Sequence, residues 1–156
     1  MVPLLESFFA PRSVAVVGAS REPGKLGYTI LDYVIKSGYK GSIYPINPNS
    51  PEILGLTSYP SIEAVPGSVD LIIVVVPQKA VLPVMESAAA KGVQAAIIIT
   101  AGFREAGPEG FAAERAIMEV AKKAGIRVVG PNCLGTIDTY TPLNASFAPR
   151  MPAQGR

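Results

Sequence analysis

The sequence contains no histidine and no tryptophan, and only one cysteine, Cys133, among its 156 residues. Without histidine, chemistry that needs an imidazole base, nucleophile or metal ligand cannot take place on this chain alone. A single cysteine excludes an intrachain disulfide and is compatible with a reducing cytoplasm. Since no evident base accompanies Cys133, we expect a packed thiol rather than a nucleophile.

Long apolar runs and a strong charge imbalance are also missing. No apolar run approaches the roughly 20 residues that span a bilayer, and residues 1–12 lack the basic start and long apolar run of a signal peptide. The net charge of +2, without a cluster of Lys and Arg, gives no reason to expect a nucleic acid partner. A chain that is 49% apolar is expected to form one domain with a proper core. With its single cysteine, the chain is expected to be cytoplasmic.

The stretch from Ser13 to Gly27 carries the clearest functional pattern. Four apolar residues, Val14 to Val17, are typical of a strand buried on both faces, and a polar loop follows before a helix-patterned run. The free N–H groups and dipole of a helix N-terminus favour a phosphate, and glycine lets the ligand reach the backbone. The pattern predicts a phosphate cradle with these candidate residues: Gly18, Ala19, Ser20, Arg21, Lys25 and Gly27.

Strand and helix patterns alternate along the rest of the chain. Besides the first strand, strands are predicted at Ser42–Ile46, Asp70–Val76, Ala95–Thr100 and Ile126–Val129. A helix is predicted from about Lys79 to Lys91, starting late because of Pro83, and another from Pro108 to Ala124. The alternation predicts an α/β fold: a Rossmann-like, doubly wound parallel sheet of about five strands in the order 3-2-1-4-5, with the first and fourth strands adjacent at the switch point.

Ligands of such sheets bind outside the carboxyl ends of the strands. The loops expected at that edge are rich in Gly, Pro, Asn and Ser, and they lie at 18–27, 47–49, 76–79, 100–104 and 130–133. No strong element is expected after residue 135. The sequence therefore predicts a binding domain at 1–135 and a tail at 136–156 that leads to a following domain absent from this chain.

Two details argue against the first candidate ligand of such a fold, NAD. The fingerprint G-x-G-x-x-G is not present, because Ser20 stands where the second glycine belongs. The second strand ends in Asn47 rather than in the acidic residue that binds a ribose hydroxyl. Four cations, Arg21, Lys25, Lys79 and Arg104, are expected at the binding edge, which favours a ligand with more phosphate than NAD. An NAD(P)-binding domain stays open as an alternative.

Five motifs in order, VAVVGAS, YPINPN, IIVVVP, IITAGF and GPNCLG, carry a family resemblance. The chain resembles the N-terminal CoA-binding domain of NDP-forming acyl-CoA synthetases, which include the ADP-forming acetate–CoA ligases and are kin to the α-subunit of succinyl-CoA synthetase. The resemblance extends to about Pro152. It implies that CoA lies extended across the carboxyl edge, with the turn from Gly18 to Ser20 and Lys25 holding its phosphates.

The resemblance also implies places for the rest of CoA. Pro48 and Asn49 would flank the adenine–ribose end, and Val76 with Pro77 would pack beside the adenine or the pantetheine. Backbone contacts along the pantetheine arm would come from Thr100, Ala101 and Gly102, and Asn132 would lie near the thiol end. Some relatives of the succinyl-CoA branch carry an acidic residue where Ala101 stands, so the alanine fits the acetate branch better.

The implied reaction joins acetate or a similar acid to CoA, while a nucleoside triphosphate is converted to the diphosphate and phosphate. In that family the phosphoryl group passes through a histidine of the next domain, and ADP or ATP with Mg²⁺ binds in an ATP-grasp domain. The implied partners are therefore the remaining synthetase domains or a β-type ATP-grasp subunit, in an oligomeric parent enzyme. This chain would hold no catalytic residue and no metal. A stand-alone or regulatory CoA-binding protein is the second alternative.

Overall fold

The computed structural model describes residues 5–155; residues 1–4 and Arg156, which the predicted domain bounds include, lie outside the described residues. Elements are numbered in chain order. The helices are α1 (Glu6–Phe9), α2 (Leu26–Lys36), α3 (Gln78–Lys91) and α4 (Pro108–Ala124). The strands are β1 (Ser13–Val17), β2 (Ser42–Ile46), β3 (Glu52–Ile53), β4 (Leu56–Thr57), β5 (Leu71–Val74), β6 (Ala95–Ile98), β7 (Arg127–Val129), β8 (Gly135–Asp138) and β9 (Leu143–Ser146).

Five parallel strands form the main sheet in the order β2-β1-β5-β6-β7. The predicted Rossmann-like, doubly wound parallel sheet is confirmed. Counted along the five predicted strands, the observed order is 2-1-3-4-5, because the third of them, β5, pairs directly with β1. The physical reason is burial: all four residues of β5 are buried, whereas β2 is partly exposed and contains Pro45, which has no N–H to donate.

The sheet separates two apolar cores, as expected of a doubly wound fold. Ala15 and Val17 of β1 belong to the core that α3 and α4 cover, with Met85 and Ile117 fully buried there. Val14 and Val16 alternate with them and belong to the core on the opposite face, which α2 covers. The period of two along a strand thus supplies apolar residues to both faces.

Helix α3 differs from its predicted bounds at its beginning. It starts at Gln78, so Pro83 is its sixth residue and lies inside the helix, where a late start had been expected. Pro83 is exposed, and the carbonyl that loses a partner there can be hydrated. Burial of Val81, Met85 and Ala88 along the inner face keeps the turn helical despite the proline.

A β-hairpin follows the sheet, in the region where no strong element was expected. Strand β8 pairs with β9 in antiparallel register, and β9 packs against α2. Leu143 and Ala145 are buried there, and the side-chain amide of Asn144 donates to the Ala148 carbonyl at 2.9 Å. The expectation of no regular element after residue 135 is therefore wrong as far as Ser146. The hairpin contains few apolar residues, and its burial comes from the face of α2 rather than from its own pattern.

Candidate functional site

Two glycines bring the end of β1 and the start of α2 into close contact. Gly18 has a φ of 96°, and a Cβ there would lie 2.7 Å from the carbonyl oxygen of Val75. At Gly27 a Cβ would collide with the carbonyl oxygen of Gly18. Only glycine therefore fits at these two positions, and the N-terminus of α2 begins directly beside the turn at Gly18. This is the arrangement in which backbone N–H groups receive a phosphate.

The loop between the two glycines carries the polar groups of the cradle. The Ser20 hydroxyl oxygen accepts a hydrogen bond from the Glu22 backbone N–H at 3.0 Å, which leaves the hydroxyl proton for a ligand. Lys25 forms an exposed ion pair of 2.9 Å with Glu22, and Arg21 is exposed beside them. Because an exposed pair is weak, an incoming phosphate can take Lys25 from Glu22.

Asn47, at the end of β2, ties two binding loops together. Its side-chain N–H donates to the carbonyl of Ala19 at 2.8 Å, and its side-chain oxygen accepts from the backbone N–H of Asn49 at 2.8 Å. Both ends of the amide are thus used within the protein, whereas a dinucleotide site needs this position for a ribose hydroxyl. Pro48 and Asn49 remain exposed at the rim.

These loops surround a cavity of about 640 Å³ at the carboxyl edge of the sheet, a volume typical of small-molecule sites. Nine of the fourteen sequence-predicted residues line it: Gly18, Ala19, Ser20, Arg21, Lys25, Pro48, Asn49, Val76 and Pro77. Gly27 does not line the cavity, but it packs against Gly18 in the turn. The wall that sequence reasoning missed is formed by the turn 60–63 and by Pro83, Val84 and Ser87 of α3. No motif marks these residues, because the fold brings them together from distant parts of the chain.

The other four predicted residues lie outside this cavity, at the ends of β6 and β7. The Thr100 hydroxyl donates to the Val76 carbonyl at 2.7 Å, and the Asn132 backbone N–H donates to the Thr100 carbonyl at 3.0 Å. Ala101 is exposed. The N–H of Gly102 donates to Glu105 at 2.6 Å, so this amide is engaged by the protein itself. The four residues form a second cluster on the same edge.

Cys133 follows this second cluster. Its thiol donates to the Ile98 carbonyl at 3.4 Å, and burial raises the pKa of the Cys133 thiol. A raised pKa keeps the thiol protonated, and a protonated thiol is a poor nucleophile. The geometry favours the packing role that the sequence predicted.

Within residues 5–155, no group of three or more Cys, Asp or Glu side chains is placed to hold a metal ion. In the same range no helix is both long enough and apolar enough to cross a membrane.

The fold and the glycine turn define a Rossmann-like domain whose carboxyl edge carries a candidate phosphate site. Comparison with known proteins gives the family of this domain. The model of a family described as "CoA binding domain" matches residues 12–139. The chain belongs to this family.

Three known proteins illustrate the similarity. The chain is 45% identical over 152 residues to acetate–CoA ligase [ADP-forming] I of Archaeoglobus fulgidus, covering 97% of this chain and 22% of the ligase. It is 44% identical over 144 residues to the α-subunit of acetate–CoA ligase [ADP-forming] II of Pyrococcus furiosus, covering 92% of this chain and 31% of the subunit. Acetyl-coenzyme A synthetase 1 of Candidatus Korarchaeum cryptofilum, solved with phosphate and ADP, matches with a TM-score of 0.90 and 40% identity, over 96% of this chain and 32% of that chain. The chain thus spans less than a third of each.

Proposed function

We propose that this chain binds CoA across the carboxyl edge of its sheet and is the CoA-binding part of an ADP-forming acyl-CoA synthetase that uses acetate or a similar acid. The observation that carries the proposal is the glycine turn opening into a 640 Å³ cavity with Arg21 and Lys25 at its rim. Similarity to ADP-forming acetate–CoA ligases supports the choice of CoA over NAD, and so does the structural engagement of Asn47.

In this proposal each part of CoA has its own residues. Backbone N–H groups of the turn, the Ser20 hydroxyl and Lys25 bind the phosphates. The adenosine lies in the cavity, and its ribose side is flanked by Pro48–Asn49 and Val76–Pro77. The pantetheine arm then passes Thr100, Ala101 and Gly102, and the thiol reaches Asn132. Since the Gly102 amide and the Thr100 hydroxyl have partners within the protein, we assign the pantetheine contact chiefly to the exposed backbone at Ala101.

The chemical step is proposed to occur elsewhere. The overall reaction converts the acid, CoA and ATP into acyl-CoA, ADP and phosphate. This chain has no histidine to carry a phosphoryl group, so phosphohistidine formation and the binding of ADP and Mg²⁺ are assigned to other domains or to a β-type subunit. We propose an oligomeric parent enzyme in the cytoplasm, which the single cysteine fits. On this view residues 136–156 lead from the binding domain toward the next one.

Isothermal titration of the 156-residue chain with CoA, 3′-dephospho-CoA and NADH tests the proposal. We expect CoA to bind, and 3′-dephospho-CoA to bind about tenfold more weakly, because one charge-assisted phosphate contact is lost. Lys25→Ala should weaken CoA binding by a similar factor. Lys40→Ala, an exposed lysine at the opposite edge of the sheet, should leave it unchanged. Binding of NADH without binding of CoA would overturn the proposal.

A further inference from the structure

The cavity has a second end that the phosphate cradle does not explain. It lies between the turn 60–63 and the side chains of Pro83, Val84 and Ser87 on α3. Its walls are mostly apolar, with Pro60, Ile62, Pro83 and Val84 contributing no polar side-chain atom. An apolar slot of this kind accommodates a flat heteroaromatic ring.

One carboxylate, Glu63, lines this apolar end. Hydrogen bonds from Ser87, from its own backbone and from Ser61 hold the pKa of Glu63 below its ordinary value. An ionised carboxylate is an acceptor only, so it can form a hydrogen bond only with a donor group of whatever enters the slot. The charge of the neighbouring Lys91 also lowers the pKa of Glu63, while its ammonium group donates to the Val65 carbonyl at 2.6 Å.

The charges at the two ends of the cavity differ in sign. At the cradle, Arg21 and Lys25 outnumber Glu22, whereas Glu63 stands at the slot together with neutral serines. A ligand with phosphates at one end and N–H donors at the other is therefore oriented in one direction only. In CoA the group that combines a flat ring with exocyclic N–H donors is the adenine.

We propose that Glu63 is the base-selecting residue of the cavity, its carboxylate accepting a hydrogen bond from the 6-amino group of adenine. This inference rests on the proposed function, since it assumes that the CoA phosphates occupy the glycine turn. Ser61 and Ser87 line the cavity beside the carboxylate, and the apolar walls cover the faces of the ring.

The test compares two forms of the nucleotide half of CoA by isothermal titration of the 156-residue chain. One is adenosine 3′,5′-bisphosphate, and the other is its analogue in which the purine lacks the 6-amino group. We expect the adenosine compound to bind about tenfold more tightly, the effect of one hydrogen bond to a charged group. Equal affinity of the two compounds, with CoA itself binding, would overturn this inference and leave the proposed function standing. Binding of neither bisphosphate nor CoA would overturn both.

Variants of Glu63 test whether this side chain causes the preference for the purine with a 6-amino group. Glu63→Ala should make the two affinities equal, and Glu63→Gln, which keeps a neutral acceptor, should reduce the ratio to about threefold. Glu52→Gln, an exposed carboxylate of β3 outside the cavity, should keep the tenfold ratio. A ratio unchanged by either Glu63 variant would overturn the inference. Thermal unfolding of each variant checks that the fold is kept.

Discussion

A buried carboxylate, Asp70, lies at the end of the sheet opposite to the site. Its carboxylate accepts hydrogen bonds from the Arg12 backbone N–H at 2.9 Å and from the Arg12 guanidinium at 3.1 Å. Burial alone would raise the pKa of Asp70, but the hydrogen bonds and charge of Arg12 lower it below its ordinary value. This pair fastens the segment before β1 to the start of β5.

The lowered pKa predicts how stability depends on pH. Because the folded-state pKa of Asp70 lies below that of the unfolded chain, the ionised carboxylate stabilises the fold above about pH 4, and this stabilisation is lost as the pH falls through the folded-state pKa. Asp70→Asn should lower the free energy of unfolding at pH 7 by about 2 kcal/mol and flatten its decline in acid. Urea unfolding between pH 7 and pH 3 measures both effects.

Asp32→Asn is the matched control for this prediction. Asp32 pairs with Lys36 at 2.7 Å on the surface of α2, and an exposed pair of this kind contributes little to stability. If Asp32→Asn changed the acid dependence as much as Asp70→Asn, the assignment to Asp70 would be wrong.

The proposed phosphate cradle depends on the close contact between α2 and the turn after β1. Helix α2 approaches the turn after β1 so closely that Gly27 leaves no room for a Cβ against Gly18. We expect Gly27→Ala to push the first turn of α2 away from the cradle, lowering the free energy of unfolding by about 1–3 kcal/mol. CoA affinity should fall with it, because the N–H groups no longer converge. Thermal unfolding and isothermal titration measure the two effects.

Gly67→Ala controls for the general effect of replacing a glycine. Gly67 has no left-handed φ, and an added Cβ would meet only the Tyr44 hydroxyl at an ordinary 3.6 Å. Stability and CoA affinity should therefore stay close to those of the original chain. Unchanged CoA affinity in Gly27→Ala would mean that the turn and the helix N-terminus do not form the phosphate site.

The elements that sequence reasoning located are those with a local signal. The apolar runs at Val14–Val17 and in β5 identify buried strands by themselves, and the glycine after the first of them predicts the phosphate cradle. The late start predicted for α3 from Pro83 was wrong. Whether a helix tolerates a proline in its interior depends on which side of the helix faces solvent. The wall containing Glu63 and Ser87 was missed for a related reason: 24 positions separate these residues, and only packing of the turn on α3 brings both to one cavity.

At the scale of the whole molecule, the hairpin β8–β9 bears on where the binding domain ends. The sequence placed that boundary at residue 135, before the hairpin. Yet Leu143 is 1% exposed and Ala145 is fully buried against the core that contains Ile30 and Val34 of α2. Removing the hairpin would expose this face of α2 to water.

A pair of shortened chains tests whether the hairpin belongs to the domain. We expect the chain 1–134 to lose about 3 kcal/mol of the free energy of unfolding, a fall of about 10 °C in Tm, because the burial of Leu143 and of the α2 face is lost. The chain 1–149 keeps β9 and the Asn144–Ala148 hydrogen bond, so its Tm should match that of the full chain within about 2 °C. Differential scanning calorimetry of the three chains measures these values. Equal stability of the chains 1–134 and 1–149 would place the end of the domain at residue 135 and assign the hairpin to the tail that follows it.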